Sequence, residues 1–210
     1  MYSAAHNFIF VHIPRTGGNS IQQVIRHFSE DRIVTDAYPD GQFRDGTDRF
    51  EVAGTYTRRK HDSLARYHEV MPADVFARAF KFCAVRDPWS RAMSFYFSPR
   101  RWLKKGIAPF WSRDEFLASL TDLRPMVDYL KVAGEIQDLD YVVHFERIGA
   151  EVARALELIG IPADGHPLPH VNKGHGDDYR RYYDEDPALI ERVGDRYGED
   201  VACFGYAYEG

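Results

Sequence analysis

Four consecutive apolar residues, Phe8-Ile9-Phe10-Val11, give way to the polar, glycine-bearing stretch Pro14 to Ser20, after which Ile21, Val24, Ile25 and Phe28 recur at i, i+3, i+4 and i+7. That pattern predicts a buried strand, a turn and a helix whose first turn lies at Gly18 to Ser20. The same succession returns at Phe82 to Val85, apolar at every position, followed by Asp87 as a helix N-cap and Pro88 at the first helical position. Between them, Phe50 to Thr57 reads as a second strand and Ala73 to Ala79 as a helix; downstream, Asp114 is expected to cap a helix reaching Leu120. Tyr141 to Phe145 reads as a further strand. Its successor helix buries Ile148, Val152, Ala155, Leu156 and Ile159 and ends at Gly160 and Pro162, and a last helix, Pro187 to Tyr197, stops at Gly198. Strands alternating with helices predict an α/β fold: a three-layer parallel sheet with helices on both faces.

The turns carry the chemistry. A helix N-terminus offers unpaired N–H groups and the positive end of a dipole, both of which favour an anion. At the first turn, Gly17 and Gly18 are expected to let backbone approach a ligand, Thr16, Asn19 and Ser20 supply side-chain donors, and Arg15 adds a cation able to bind two oxygens at once. The pattern is not a Walker A loop, because the basic residue precedes the glycines and no lysine stands just before the helix. In the second turn Arg86 sits at a strand's carboxyl end, where open α/β sheets bind ligands, while Arg91 and Ser94 share a helix face. A cation and a hydroxyl converging there can hold a second phosphate.

His12-Ile13-Pro14-Arg15-Thr16-Gly17-Gly18-Asn19-Ser20 resembles the 5′-phosphosulfate loop of sulfotransferases that use 3′-phosphoadenosine 5′-phosphosulfate (PAPS). Val85-Arg86-Asp87-Pro88-Trp89-Ser90-Arg91-Ala92-Met93-Ser94 is similar to their 3′-phosphate motif, an arginine at a strand end with a serine eight residues on. The style is that of the carbohydrate-type branch, which includes heparan and chondroitin sulfotransferases and their bacterial relatives. The resemblance runs from about Phe8 to Tyr206 and is sharp in the two motifs. It departs at Arg15, where the family usually carries lysine. It implies a fold like that of the P-loop nucleotide kinases, PAPS as donor with PAP as product, no metal, and a hydroxylated small-molecule or glycan acceptor. Arg15 through Ser20 would hold the phosphosulfate, with Arg15 also catalytic, and Arg86 and Ser94 the 3′-phosphate. Lys173, in the polar loop Pro169 to Gly176, would contact the bisphosphate, with Asn172 and Gly174 shaping the turn. His61-Asp62-Ser63 is similar to the segment in which a histidine deprotonates the acceptor, so His61 is the expected base, with Asp62, His68 and Glu51 as rivals. His12 reads as structural, orienting the loop.

Composition adjusts this picture little. At 210 residues, 44% hydrophobic and 28% charged, the chain is long enough for one domain spanning 1–210. A net charge of −5 argues against general nucleic-acid binding, although Arg58-Arg59-Lys60 and Arg100-Arg101 with Lys104-Lys105 form local basic clusters. No apolar run approaches a membrane span, which with the absence of a signal segment leads us to expect a cytoplasmic protein. Cys83 and Cys203 are expected as two buried free thiols. The aromatics of Pro99 to Ser112 (Trp102, Phe110, Trp111) either stack on sugars or cover the core, and Asp36 to Asp48 reads as a mobile loop near the acceptor entrance. Two other function classes stay open: a metal-dependent nucleotide kinase of related fold and a non-catalytic PAP-binding module. Metal dependence of transfer separates the first, and absence of any transfer the second.

Overall fold

A computed structural model describes residues 1–35, 50–98, 101–102, 105–169 and 179–209. They gather into two compact units, Met1–Val85 with Tyr129–Asn172 and Arg86–Asp128 with Lys173–Gly210. The expected loop at Asp36 to Asp48 lies outside the described residues, as do Lys173, Asn172 and Gly174.

The first unit is built on a sheet of four strands in the order β1-β2-β5-β8: β1 Tyr2–Ser3, β2 Phe8–Val11, β5 Phe80–Val85 and β8 Tyr141–His144. The last three run parallel, with Val11 opposite Cys83 and Val85 opposite His144, and β1 adds an antiparallel edge. Phe8, Phe10, Phe82, Ala84 and Val143 face α1 (Gly18–Ile25) and α6 (Ile148–Leu158), which contribute Ile21, Val24, Ile25, Val152, Ala155 and Leu156 to one core. Ile9, Val11, Cys83 and Val85, on the alternate positions, are also fully buried, so both faces of the central strands are covered. Each such side chain contributes on the order of 2 kcal/mol of transfer free energy. The mixed α/β architecture expected from the alternation is therefore present, with an antiparallel edge strand that the alternation did not announce.

The strand expected at Phe50 to Thr57 does not join this sheet. It is shorter, β4 Phe50–Ala53, and pairs antiparallel with β3 Arg32–Thr35, Val34 opposite Glu51. Its burial explains why: Val52 is buried and Glu51 exposed, the alternation of a ribbon with one dry face and not of a central parallel strand. The chain leaves β4 through a turn in which Gly54 N–H donates to the Thr57 carbonyl at 2.8 Å. Two short helices follow, α2 Leu64–Val70 and α3 Ala73–Arg78, and a small hairpin, β6 Lys131–Val132 with β7 Glu135–Ile136, precedes β8.

The second unit is helical, with α4 Pro88–Tyr96, α5 Arg113–Asp122, α7 Arg180–Glu185, α8 Ala188–Arg196 and α9 Gly198–Phe204 around an aromatic core of Trp89, Tyr96, Trp102, Phe116, Tyr183 and Tyr197. The cap of α5 is Ser112, whose hydroxyl accepts from Glu115 N–H; Asp114, expected in that role, stands at the second helical position, inside the first turn. Gly198 ends α8 only in part, because a further helix starts there and stops at Gly205, left-handed at φ 69°. Trp102 and Trp111 resolve toward the core: Trp102 N–H donates to the Tyr96 carbonyl at 2.7 Å, and the Trp111 ring lies 4.4 Å from that of Tyr182. Phe110 is 48% exposed. Of the basic cluster here, Arg101 pairs with Asp122 and Glu115, and Lys105 with Glu115; Arg100 and Lys104 lie outside the described residues. Both cysteines are free, but only Cys83 is buried; Cys203 is exposed on α9, a polar-flanked helix, which corrects the expectation of two buried thiols. Among the described residues no helix is long and apolar enough to cross a membrane.

Candidate functional site

β2, β5 and β8 end at one edge of the sheet, and the chain leaves β2 there through His12 and the turn to α1. Arg15 is held left-handed at φ 70°, a backbone strain of about 1–2 kcal/mol for a side chain with a Cβ. Thr16 is buried and donates its hydroxyl proton to the Ile13 carbonyl at 2.9 Å, tying the turn from inside. Gly17, at φ 84°, is the N-cap of α1; its carbonyl takes the N–H groups of Ser20 (3.0 Å) and Ile21 (3.3 Å), and no side chain caps the helix. No acidic residue stands in that first turn. The positive end of α1 is thus left without a carboxylate of its own, and Asn19 and Ser20 stand half-buried beside it.

Packing behind the turn places its own demand on the two glycines. A Cβ at Gly18 would sit 2.1 Å from His12 Cδ2, and one at Gly17 2.4 Å from Ile148 Cδ1 and 3.0 Å from Phe145. They are needed because the protein itself packs behind the loop, against the His12 ring and the segment after β8.

His12 is 3% exposed, and its Nδ1–H donates to Gln22 Oε1 at 2.6 Å. Burial, reinforced by the nearby His61 and Lys60, holds its pKa well below the ordinary histidine value, so the ring is neutral. Gln22 was not singled out by the sequence, although a glutamine between Ile21 and Ile25 on a buried stripe is a signal of an internal polar partner. The carbonyl of His12 accepts from His61 Nδ1–H at 2.9 Å, and the two rings meet edge to face at 4.5 Å. Since a carbonyl only accepts, a neutral His61 carries its proton on Nδ1 and its lone pair on Nε2.

The carboxylate rivals are engaged in holding this turn. Asp62 Oδ2 accepts the N–H groups of Arg58 (2.9 Å) and Arg59 (3.0 Å), and Glu51 Oε2 that of Lys60 (2.8 Å). His68 lies on the exposed side of α2 against Phe76. Arg58 and Arg59 are exposed while Lys60 is buried, so the basic cluster is not a uniformly solvated face.

In the second unit, Asp87 caps α4 as expected, accepting from Trp89 N–H at 2.9 Å and Ser90 N–H at 3.2 Å. Arg86 Nε donates to Ser90 Oγ at 2.9 Å, and Ser94 is half-buried one turn beyond Ser90. Arg91 is turned inward: 1% exposed, it stands 3.8 Å from Asp200 and donates to the Arg124 carbonyl at 2.9 Å. Asp200 in turn accepts from Met126 and Val127 N–H, both at 2.9 Å, while burial raises its pKa. Arg91 is therefore a structural cation. Ser90 and Tyr179, whose hydroxyl donates to Asp87 at 2.7 Å, are members of this network that the motif did not announce. Ser90 was legible as i+4 from Arg86; Tyr179, far along the chain, was not.

No curated protein and no solved structure matches the chain. The family model described as "Sulfotransferase family" matches residues 1–207. With the strand-turn-helix at Phe8–Ile25 and the arginine-serine helix motif inside that span, the chain belongs to the sulfotransferase family, whose members transfer sulfuryl groups.

Proposed function

We propose that this chain works as one sulfotransferase domain over 1–210 that moves a sulfuryl group from PAPS to the hydroxyl of a carbohydrate acceptor. The observation that carries the reading is the pairing of an uncapped, acid-free helix start with a histidine fixed on the same turn: α1 begins at Gly17–Gly18, and His61 is anchored on the carbonyl of His12. An anionic donor fits the first feature and a proton acceptor the second.

In this reading Arg15, Gly17, Gly18, Asn19 and Ser20, with the backbone of Thr16, hold the 5′-phosphosulfate. Arg86 and Ser94 hold the 3′-phosphate, and Lys173 contacts the bisphosphate product. The acceptor oxygen attacks sulfur in line as its proton passes to Nε2 of His61; the S–O bond to the phosphate breaks, and its electron pair leaves on the phosphate oxygen. Arg15 neutralises the charge that builds there, and the N–H groups at the start of α1 add fixed dipoles, so no metal is required of the protein. Main-chain anchoring of His61 supports its role as base, because it sets the tautomer without a second titrating group. We place the protein in the cytoplasm, a setting that the sparse cysteine usage of the sequence supports.

Calorimetric titration with PAP and with ADP tests the donor. PAP is expected to bind at least tenfold more tightly, and Arg86→Ala to remove the preference; equal affinities, or a preference untouched by Arg86→Ala, overturn the assignment.

A further inference from the structure

Gln22 is a fully buried amide on the apolar stripe of α1, beside Ile21 and Ile25. Its Oε1 accepts the proton of His12 Nδ1 at 2.6 Å, while its Nε2 has no hydrogen-bond partner among the described residues. A buried donor without a partner destabilises the fold, and a methionine of similar length would fill the same space without that cost. What the amide does that methionine cannot is hold the His12 ring.

Gly18 and Gln22 stand four apart on α1 and so share a face, and the His12 ring lies against it. The ring edge made by Cδ2 and Nε2 fills the place of a Gly18 Cβ, which would fall 2.1 and 2.3 Å from those atoms, and Nδ1 meets Gln22. One helix thus grips the imidazole by both edges. Against this ring stands that of His61, at 4.5 Å and 67°, with its Nδ1–H on the His12 carbonyl at 2.9 Å. The carbonyl bond fixes one nitrogen of His61, and the His12 ring is the wall that its plane meets. A reacting group is held to its working geometry when the side chains behind it have locked rotamers of their own.

We infer that Gln22 is a positioning residue for His61: by holding the His12 ring, it sets the plane of the imidazole that takes the acceptor's proton. The inference rests on the reading of His61 as the base. It also gives a function to a glutamine that packing alone would replace.

Long-range proton–nitrogen NMR spectra of the full chain, with 15N-labelled histidine at about pH 8 where an ordinary imidazole is neutral, test the inference. In the wild type, His12 and His61 should each show one set of signals with the proton on Nδ1. Gln22→Met should divide the His61 signals between two tautomers, while Tm stays within about 3 °C because the lost bond and the removed orphan donor offset one another. Turnover on any accepted substrate should fall about tenfold with PAP affinity within about threefold, and in a His61→Ala background Gln22→Met should add less than about twofold. A His61 spectrum unchanged by Gln22→Met, or a loss of PAP affinity equal to the loss of turnover, overturns the inference. A wild-type His61 that already averages over both tautomers does so too, and needs no variant, so it decides the matter should Gln22→Met not fold. If His61→Ala leaves turnover unchanged, the reading of His61 as base falls, whereas an altered His61 spectrum in Gln22→Met still upholds the grip of Gln22 on that ring.

Discussion

Replacing Gly18 with alanine puts the packing of the turn between β2 and α1 to a direct trial. The new methyl carbon would lie 2.1 Å from Cδ2 and 2.3 Å from Nε2 of His12, where ordinary contact begins near 3.4 Å. Something must move by more than an ångström, and the ring is poorly free to do so. It is buried, bonded to Gln22 at 2.6 Å, and its residue carries the carbonyl that anchors His61. Overpacking of this kind costs about 1–3 kcal/mol, and losing the Gln22 bond adds roughly 1, so about 3 kcal/mol is expected. For a chain of this size that corresponds to a fall in Tm of roughly 6–12 °C. The matched control is Gly149→Ala in α6, where a Cβ meets nothing within 4 Å and the backbone is helical; there the lower unfolded-state entropy should leave Tm unchanged or raise it slightly. Thermal melts of both variants with PAP absent supply the measurement. A Gly18→Ala Tm within about 1 °C of the wild type would mean that the His12 ring swings aside freely, and the argument that it is fixed would be refuted.

Further outcomes follow from the same geometry. His61→Ala should lower turnover on any accepted substrate by at least about 100-fold while PAP affinity in calorimetry stays within about threefold; unchanged turnover removes His61 as the base. The buried His12 ring binds a proton less readily than it does in the unfolded chain, so the unfolded state takes up the proton first as pH falls. Stability should therefore be full above about pH 6.5 and decline below it, and chemical denaturation from pH 8 to 5 should show a shallower slope in His12→Phe; identical slopes would contradict a buried neutral histidine. Asp200→Ala leaves Arg91 buried beside two unpaired N–H groups and should cost about 3–5 kcal/mol in urea unfolding, a loss that a small shift in midpoint would disprove.

How much of this was legible in the sequence depended on whether a signal was local. The strand Phe8–Val11, the turn and the helix start at Gly18 were readable because an unbroken apolar run, two glycines and a 3.6-residue period follow one another within 21 residues. Asp87 and Pro88 announced α4 for the same reason. The pairing of β4 with β3 was not readable, since Arg32–Thr35 is short and mixed, and a strand's partner is chosen by tertiary packing. Arg91 looked like a ligand by helical spacing from Ser94, yet its partner, Asp200, is 109 positions away and visible only in the fold. Gly17 and Gly18 stand out in the sequence as adjacent glycines before a helix, but the walls they avoid, Ile148, Phe145 and His12, emerge only from the packed chain.

Incubation of the protein with PAPS radiolabelled in its sulfuryl group, against a panel of glycans and phenols, tests the transfer reaction most directly. The wild type should move label to at least one hydroxylated acceptor at a rate unchanged by a metal chelator, and Arg86→Ala should lose that transfer at low donor concentration. Label that stays on the nucleotide with every acceptor, or transfer that stops when metal is withdrawn, contradicts the account.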